Sequence, residues 1–443
     1  MQKKRMYRLV ILLGILLIFS SCNLKDKDDK QNTKEQQDLL NELNSVIIPI
    51  QGSSPNLDDK ELAPLDFLKQ AKIVGLGEAT HGTKEFFEMK HRIFKYLVEH
   101  HGFKAFAFES DFSECIYIDR YITGGEGDLD DLMRNTMIFW TWCTAEVRAL
   151  LAWMREYNEG KEKKDMIRYF GVDCQFFRYK ADLLVEYLGK VSPETLQECE
   201  STLDKTRDLD KWWNQQNISN EELDEIEEGL QYLYEQFEKK ENEFVSLSSK
   251  EDYEITKHIV RVLLQVKEVA FQGGSRSRDK YMAENALWVL NLLGKNKKIA
   301  LWAHNGHVEN TQNWMGKYLK DELGKFYQVV GFSFSRGGLV AKKISAAGVS
   351  GGLFIHQVYG TQNTSINSLF HDAKYDNFIF KLDTLLLGTK LSDWLSEPRM
   401  FLRIGAAYNP ENPNAYYSTP VLTTAYDVLI HFDEVLVAEN YRY

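Results

Sequence analysis

Four short apolar runs, each ending in an acid or an imidazole, constrain this chain more than any other feature. Ile73-Val74-Gly75-Leu76 leads into Gly77-Glu78-Ala79-Thr80-His81-Gly82. Residues 104–108 end in Glu109-Ser110-Asp111, residues 167–172 end in Asp173, and residues 298–302 deliver Ala303-His304-Asn305-Gly306-His307. Each run has the length and composition of a strand. Between the first two, Phe86, Phe87, Ile93, Phe94 and Leu97 recur at helical spacing, which predicts one strand–helix–strand unit with parallel strands. Ligands of open parallel sheets sit outside the carboxyl ends of the strands. Glu78, His81, Glu109, Asp173, His304 and His307 are therefore expected to meet in one cleft. So many titratable groups at strand ends read as a catalytic site. The plainer alternative is a polar loop in which Glu78 caps a helix and His81 satisfies its backbone.

Beyond the third run the composition shifts. Over residues 193–269 charges dominate, Gly and Pro are almost absent, and Leu223, Ile226, Leu230, Leu233 and Phe237 step by threes and fours. The expected fold class is α/β: a mainly parallel sheet with flanking helices and an inserted helical cap subdomain. A helix over residues 277–293 follows, and its start, Arg276-Ser277-Arg278-Asp279, can bring guanidinium groups to the cleft. Further strands are expected at 327–334, 378–382 and 435–438. The boundaries read as 1–21, a leader; 22–40, a charged tether; 41–192 and 271–443, the two parts of the α/β domain; and 193–270, the cap.

The leader carries Lys3, Lys4, Arg5 and Arg8 before an apolar stretch, Leu9 to Phe19, too short to span a bilayer comfortably. Its end, Ser20-Ser21-Cys22, has the small residues and cysteine of a bacterial lipoprotein processing site, so Cys22 is expected to carry lipid in the cell envelope, on the periplasmic or surface face. An ordinary cleaved signal or an anchor helix are the alternatives. Removing residues 1–21 leaves 50 basic against 65 acidic side chains, a surface that repels nucleic acid and anionic lipid. Membrane attachment then comes from acylation, not from a basic face. Cys115, Cys143, Cys174 and Cys199 show no C-x-x-C spacing, which excludes a zinc ribbon; they read mainly as buried small residues.

Ester hydrolysis needs a nucleophile and donors for the oxyanion. Gly348-Val349-Ser350-Gly351-Gly352 matches a serine elbow as a string, but no helix is evident after it, and a glycine-rich turn is the better reading. His81, His304 and His307 with Glu78 and Glu109 are ligand types for zinc or manganese. The H-x-x-H spacing is not that of a zincin, however, and Lys90 and Arg92 would repel a dication. The preferred account uses no cofactor and no metal. His81 is the base, Glu78 or Glu109 orients it, and His304 or His307 is the electrophile or the alternative base. Lys90, Arg92, Asp173 and Arg278 are candidate substrate-binding residues, and His91 reads as a packing residue.

Several of these segments together resemble the erythromycin esterase family. They are Gly77 to Gly82, Glu85-Phe86-Phe87, Lys90-His91-Arg92, Phe108-Glu109, Trp140 and Trp142 with Glu146, Gly171-Val172-Asp173, Ser277-Arg278-Asp279, Met282-Ala283-Glu284-Asn285 and Trp302 to His307. The resemblance implies hydrolysis of a small-molecule ester, in the named members a macrolide lactone, with Glu78, His81, Glu109, His304 and His307 as site residues. Lys90 departs from the arginine that some drug-inactivating members look to have, which bears on macrolide specificity and not on hydrolysis. A metal-dependent hydrolase on the same cleft and a non-catalytic ligand-binding lipoprotein are the competing readings.

Overall fold

The computed structural model describes residues 34–215, 218–346 and 348–442; the leader and Cys22 lie outside the described residues. In chain order the strands are β1 Ile48–Pro49, β2 Ile73–Leu76, β3 Ala105–Asp111, β4 Arg168–Asp173, β5 Ile299–Trp302, β6 Tyr327–Ser345, β7 Gly348–Val358, β8 Asn377–Lys381, β9 Phe401–Leu402, β10 Ala407–Tyr408, β11 Tyr417–Ser418 and β12 Val428–Val435. Among the described residues, one sheet has the order β1-β8-β12-β6-β2-β5-β3-β4, with β7 and β10 added to the far end of β6. From β12 to β4 the strands are parallel; β8 is antiparallel to both its neighbours. As expected, β2 and β3 are parallel, but β5 lies between them, pairing Ile299 with both Ile73 and Ala105.

The four runs read as unbroken apolar stretches because both faces of the sheet are covered. Phe106 and Phe108 enter one core with Phe86 and Phe94; Ala105 and Ala107 enter the other with Met282 and Ala286. β5 alternates likewise, Ala300 and Trp302 on the first face, Ile299 and Leu301 on the second. The Lys84–His101 helix crosses the first face and stops at Gly102, whose φ of +71° suits a residue without Cβ.

The helices Lys180–Val191, Pro193–Gln215, Asn220–Lys239, Glu241–Leu247 and Lys250–Glu268 surround a third core, built from Leu184, Leu203, Ile226, Leu230, Leu233, Phe237 and Leu263. Lys180 ties this subdomain to the sheet, its ammonium 2.7 and 2.8 Å from the Asp111 carboxylate oxygens. A π-helical turn, Val269–Gly273, then leads into the Gly274–Leu293 helix.

Some expectations need correcting. Residues 34–46 form a helix that begins inside the supposed tether and buries Leu39 and Leu43. β6 runs on to Ser345, because Gly337 lies so close to Val435 that a Cβ would sit 2.0 Å from its carbonyl oxygen, and the strand passes through. The run at 435–438 is the exit of β12: His431, buried and 2.8 Å from Ser333 Oγ, hides that strand's apolar pattern. Ser350 belongs to β7, its hydroxyl held by Lys343 N and Gly352 O, and no helix follows it. The four described cysteines are free and buried, as expected.

Candidate active site

The loop after β2 turns where only glycine fits. A Cβ on Gly77 would lie 2.1 Å from Asn305 Oδ1. Asn305, on the loop after β5, donates its amide N–H to Glu78 O (2.8 Å) and its Nδ2 to Phe332 O (2.7 Å), while its Oδ1 accepts from Phe332 N (3.1 Å). One asparagine thus clips the two histidine-bearing loops to β6. Farther on, Gly82 meets Val340 of β6, where a Cβ would lie 2.2 Å from the carbonyl oxygen.

These constraints place Glu78 and His81 together, Nδ1 of the imidazole 2.5 Å from Oε1. The other oxygen, Oε2, accepts from Trp302 Nε1 (2.7 Å) and from Lys90 Nζ. Burial alone would raise the Glu78 pKa, but the Lys90 charge and the His81 bond outweigh it and hold the carboxyl below its usual range. Lys90 is itself pushed down to about 8 by burial, despite Glu78; its ammonium sits 4.1 Å from the centre of the Trp302 ring. His81 packs edge-on against Trp142 and 5.2 Å, centre to centre, from His304. Its Nε2 takes no hydrogen bond among the described residues.

A second cluster forms at the ends of β3, β4 and β5. Arg278 meets Asp173 through Nε (2.9 Å) and Nη2 (2.8 Å), and Nη2 also reaches Glu109 Oε1 (2.8 Å). His307 lies between Asp279 Oδ1 (2.7 Å from Nδ1) and Glu109 Oε1 (3.2 Å from Nε2). Burial opposes charge on His307, yet Glu109 and the Asp279 bond carry its pKa up to about 10, so it is an imidazolium with both N–H groups engaged. Arg278 Nη1, 3.2 Å from the same Nε2, is then a like-charge neighbour compensated by three surrounding carboxylates. Glu109, though buried, is held well below its usual range by His307 and Arg278.

His304 is the opposite case. Its Nδ1 accepts from Gly306 N (3.2 Å), which puts the proton of the neutral ring on Nε2. Burial and the nearby His81 hold its pKa well below the usual value. That Nε2 is buried and has no partner among the described residues. The His304 backbone N–H bonds Glu109 Oε2 (2.8 Å), joining the two clusters.

The structure thus brings Glu78, His81, Glu109, His304, His307, Asp173 and Arg278 to one place, while the expected substrate contacts of three residues need correcting. Lys90 is fully buried beneath Glu78. Arg92 is remote from the cluster, its guanidinium bound by Gly52 O, Asp58 O and Glu61. Asp173 is fully buried and spent on Arg278, Gln175 and Cys174 N. His91 is the packing residue expected, beside Trp153, its pKa lowered to about 3 by burial. Three contributors escape sequence reasoning. Asp279 holds His307, a role at which its place next to Arg278 hints. Trp142 donates Nε1 to Glu109 O (2.9 Å). Arg403, paired with Glu309, approaches the Gly306 turn, and nothing in its sequence context marks it.

As for metals, the carboxylates of the cluster are already neutralised by Lys90, Arg278 and His307. The one trio of ligand side chains whose atoms lie within 4.8 Å of one another, among the described residues, is Asp59, Glu99 and His100, away from this site.

A family model for erythromycin esterase matches residues 98–435. The chain belongs to the erythromycin esterase family. The match begins after Glu78 and His81. Erythromycin esterase type II of Escherichia coli is 24% identical over 317 residues, 65% of this chain and 74% of that protein. YbfO of Bacillus subtilis (strain 168), named as a hydrolase, is 27% identical over 308 residues, 62% and 68% of the two chains. A Bacillus cereus crystal structure superposes with a TM-score of 0.79 at 25% identity, over 92% of this chain and 99% of that one. The erythromycin esterase EreC, solved as a mutant in its open conformation, gives 0.64 at 16% identity, over 86% and 95%. Family and relatives together make this chain a hydrolase of the erythromycin esterase type.

Proposed function

We propose that this member of the erythromycin esterase family hydrolyses a small-molecule carboxylic ester or lactone, with His81 as general base on water. The observation that carries the reading is the pairing of two differently prepared imidazoles. His81 gives Nδ1–H to the Glu78 carboxylate, which leaves the Nε2 lone pair for a proton. His304, 5.2 Å away, offers a buried, unpartnered Nε2–H. Water bound between them loses a proton to His81 as its oxygen attacks the carbonyl carbon; the carbonyl oxygen gains the charge and takes the His304 N–H. The His81 imidazolium then protonates the departing alkoxide, giving acid and alcohol. His307 suits the base role less well than His81, its Nδ1 bonded to Asp279 and its Nε2 held between Glu109 and Arg278. Its part is to hold Glu109, which holds the His304 backbone.

The name of the Escherichia coli relative makes erythromycin the first substrate to try, alongside other macrolides and aryl esters. Native protein should open at least one macrolide to a product heavier by one water, or split at least one aryl ester into its acid and phenol, read by mass spectrometry. His81→Asn should keep the fold and most of the affinity while turnover falls roughly 10²- to 10⁴-fold. Rate loss on chelation, restored by zinc or manganese, would instead make His81 a metal ligand, and no turnover of any ester would leave a binding protein. The same reading includes acylation at Cys22 and attachment to the cell envelope, supported by the leader's charge flank and by Ser20-Ser21-Cys22.

A further inference from the structure

β8 runs antiparallel to β12, pairing Lys381 with Val428, so the chain leaves β8 at the amino edge of the parallel strands, opposite the edge that holds Glu78 and Glu109. Leu382 N bonds Asp427 O (3.1 Å) at that edge. Just beyond, a tight turn is closed on Leu386 O by Thr389 N (3.3 Å) and Thr389 Oγ1 (3.0 Å), with Gly388 at φ +81°. At its tip Leu386 is 73% exposed and Leu387 is 96% exposed. Single apolar residues in water are ordinary, but two neighbouring leucines displayed on a turn form a compact apolar point that the fold itself does not use.

The chain's N-terminal segment enters beside this turn. The helix over residues 34–46 packs along the residues that follow it: Asp38 pairs with Lys390 (2.5 Å), and Glu42 accepts from Leu391 N (2.7 Å). Twelve Cα steps separate Lys34 from Cys22, at most about 43 Å of extended chain, so a lipid on Cys22 holds Lys34 within about that distance of a bilayer and lets this face reach it. Lys72, Lys104, Lys297, Lys298 and Lys325 lie just before β2, β3, β5 and β6 on the same edge, so basic side chains accompany the apolar turn there.

We propose that Leu386 and Leu387 dock into the interface of the membrane that the acylated Cys22 anchors, turning the catalytic edge toward the aqueous phase. This rests on the acylation proposed above. Docking orients the cleft so that substrate arrives from solution and not from the bilayer.

The test uses the full chain, exported and processed in a bacterium that makes lipoproteins, then reconstituted in phosphatidylethanolamine–phosphatidylglycerol vesicles. Leu387→Cys carries an environment-sensitive dye; the four described cysteines are buried and Cys22 is acylated, so the label is selective. Phe354→Cys, on the partly exposed β7 hairpin, is the comparison site. The expected result is a blue-shifted emission at 387, quenched by brominated lipid, with water-like emission at 354. Vesicle-bound protein with a water-like dye at 387 overturns docking and leaves acylation standing. A shift at 354 alone overturns it by moving the membrane face to the hairpin. Protein that carries no lipid and stays off vesicles overturns both.

Discussion

His304 and His307 lie three residues apart on the loop after β5, and their surroundings assign them opposite charge states. Asp279 and Glu109 flank His307 and keep it an imidazolium, whereas His304 meets only the Gly306 amide and is held neutral by burial. An imidazolium whose two N–H groups are both engaged has nothing left for a reacting oxygen; a neutral ring with a buried, unpaired N–H has one donor and no use for it in the resting fold. Leaving that donor unsatisfied costs about 1–3 kcal/mol, an expense that makes sense at the position where negative charge develops. His304→Phe should therefore lower kcat roughly 10²- to 10³-fold with KM little changed, as steady-state kinetics on any turned-over ester will read. A raised KM with unaltered kcat would mean that His304 binds ground state and transition state alike, and the oxyanion role would fall.

At the scale of elements, the site depends on loops that touch because a side chain is missing. Gly77→Ala would drive a methyl group into Asn305 Oδ1 and loosen the clip that joins the loops after β2 and β5 to β6. Overpacking of about 1–3 kcal/mol, with the lost Asn305 bonds added, should lower the urea midpoint and displace His81 from His304. A Gly77→Ala variant of native stability and activity would show that the loops give way easily. The same elements explain what the sequence discloses. Strand ends are legible because a strand buried on both faces is a short apolar run, and the first polar residue after it marks the carboxyl edge; Glu78, Glu109, Asp173 and His304 stand out that way. The helix stripe from Leu223 to Phe237 is legible because one face alone is buried. Lys90 and Arg92 mislead because helical spacing says which face is covered but not whether a cation there meets water, a substrate or a buried carboxylate. β12 escapes notice because His431 is satisfied by Ser333, a partner 98 residues away. Arg403 reaches the site from a segment without periodic pattern, where only the folded chain shows the approach.

Over the whole molecule, buried acids and bases tie stability to pH, and each sign follows from which way its pKa moves on folding. Glu78 and Glu109 lie below the usual 4.5 in the fold, so their contribution is present above pH 4.5 and is lost on acidification. Glu114 moves the other way: burial, then the Asp111 charge, raise it to about 8, so its contribution is complete below 4.5 and is lost as the pH climbs through 8. His307, raised from 6.5 to about 10, stabilises fully below 6.5 and loses that effect as pH rises through 10. Lys90 opposes both: burial lowers it from 10.5 to about 8, a penalty present below 8 and relieved above it. Between pH 5 and 8 Glu114 and His307 lose their contributions, while His91, His258, His304, His356 and His431, all lowered from 6.5 by burial, oppose them, since each buried neutral ring adds stability as the pH rises through 6.5. The histidine gains are nearly complete by about pH 7, beyond which the losses prevail, so the urea midpoint of the whole chain should fall between about pH 7 and 8, with the decline easing beyond 8 as Lys90 sheds its proton. Glu114→Gln isolates the larger part. Glutamine copies the neutral acid, its oxygen accepting from Ile138 N and its amide donating to Ser110 Oγ, but it has no proton to lose. The variant should match the native protein at pH 5 and exceed it at pH 8, its advantage growing with pH. A Glu114→Gln variant whose difference from the native protein stays constant between pH 5 and 8 would mean that Glu114 is ionised in the fold and that Lys180 neutralises both it and Asp111.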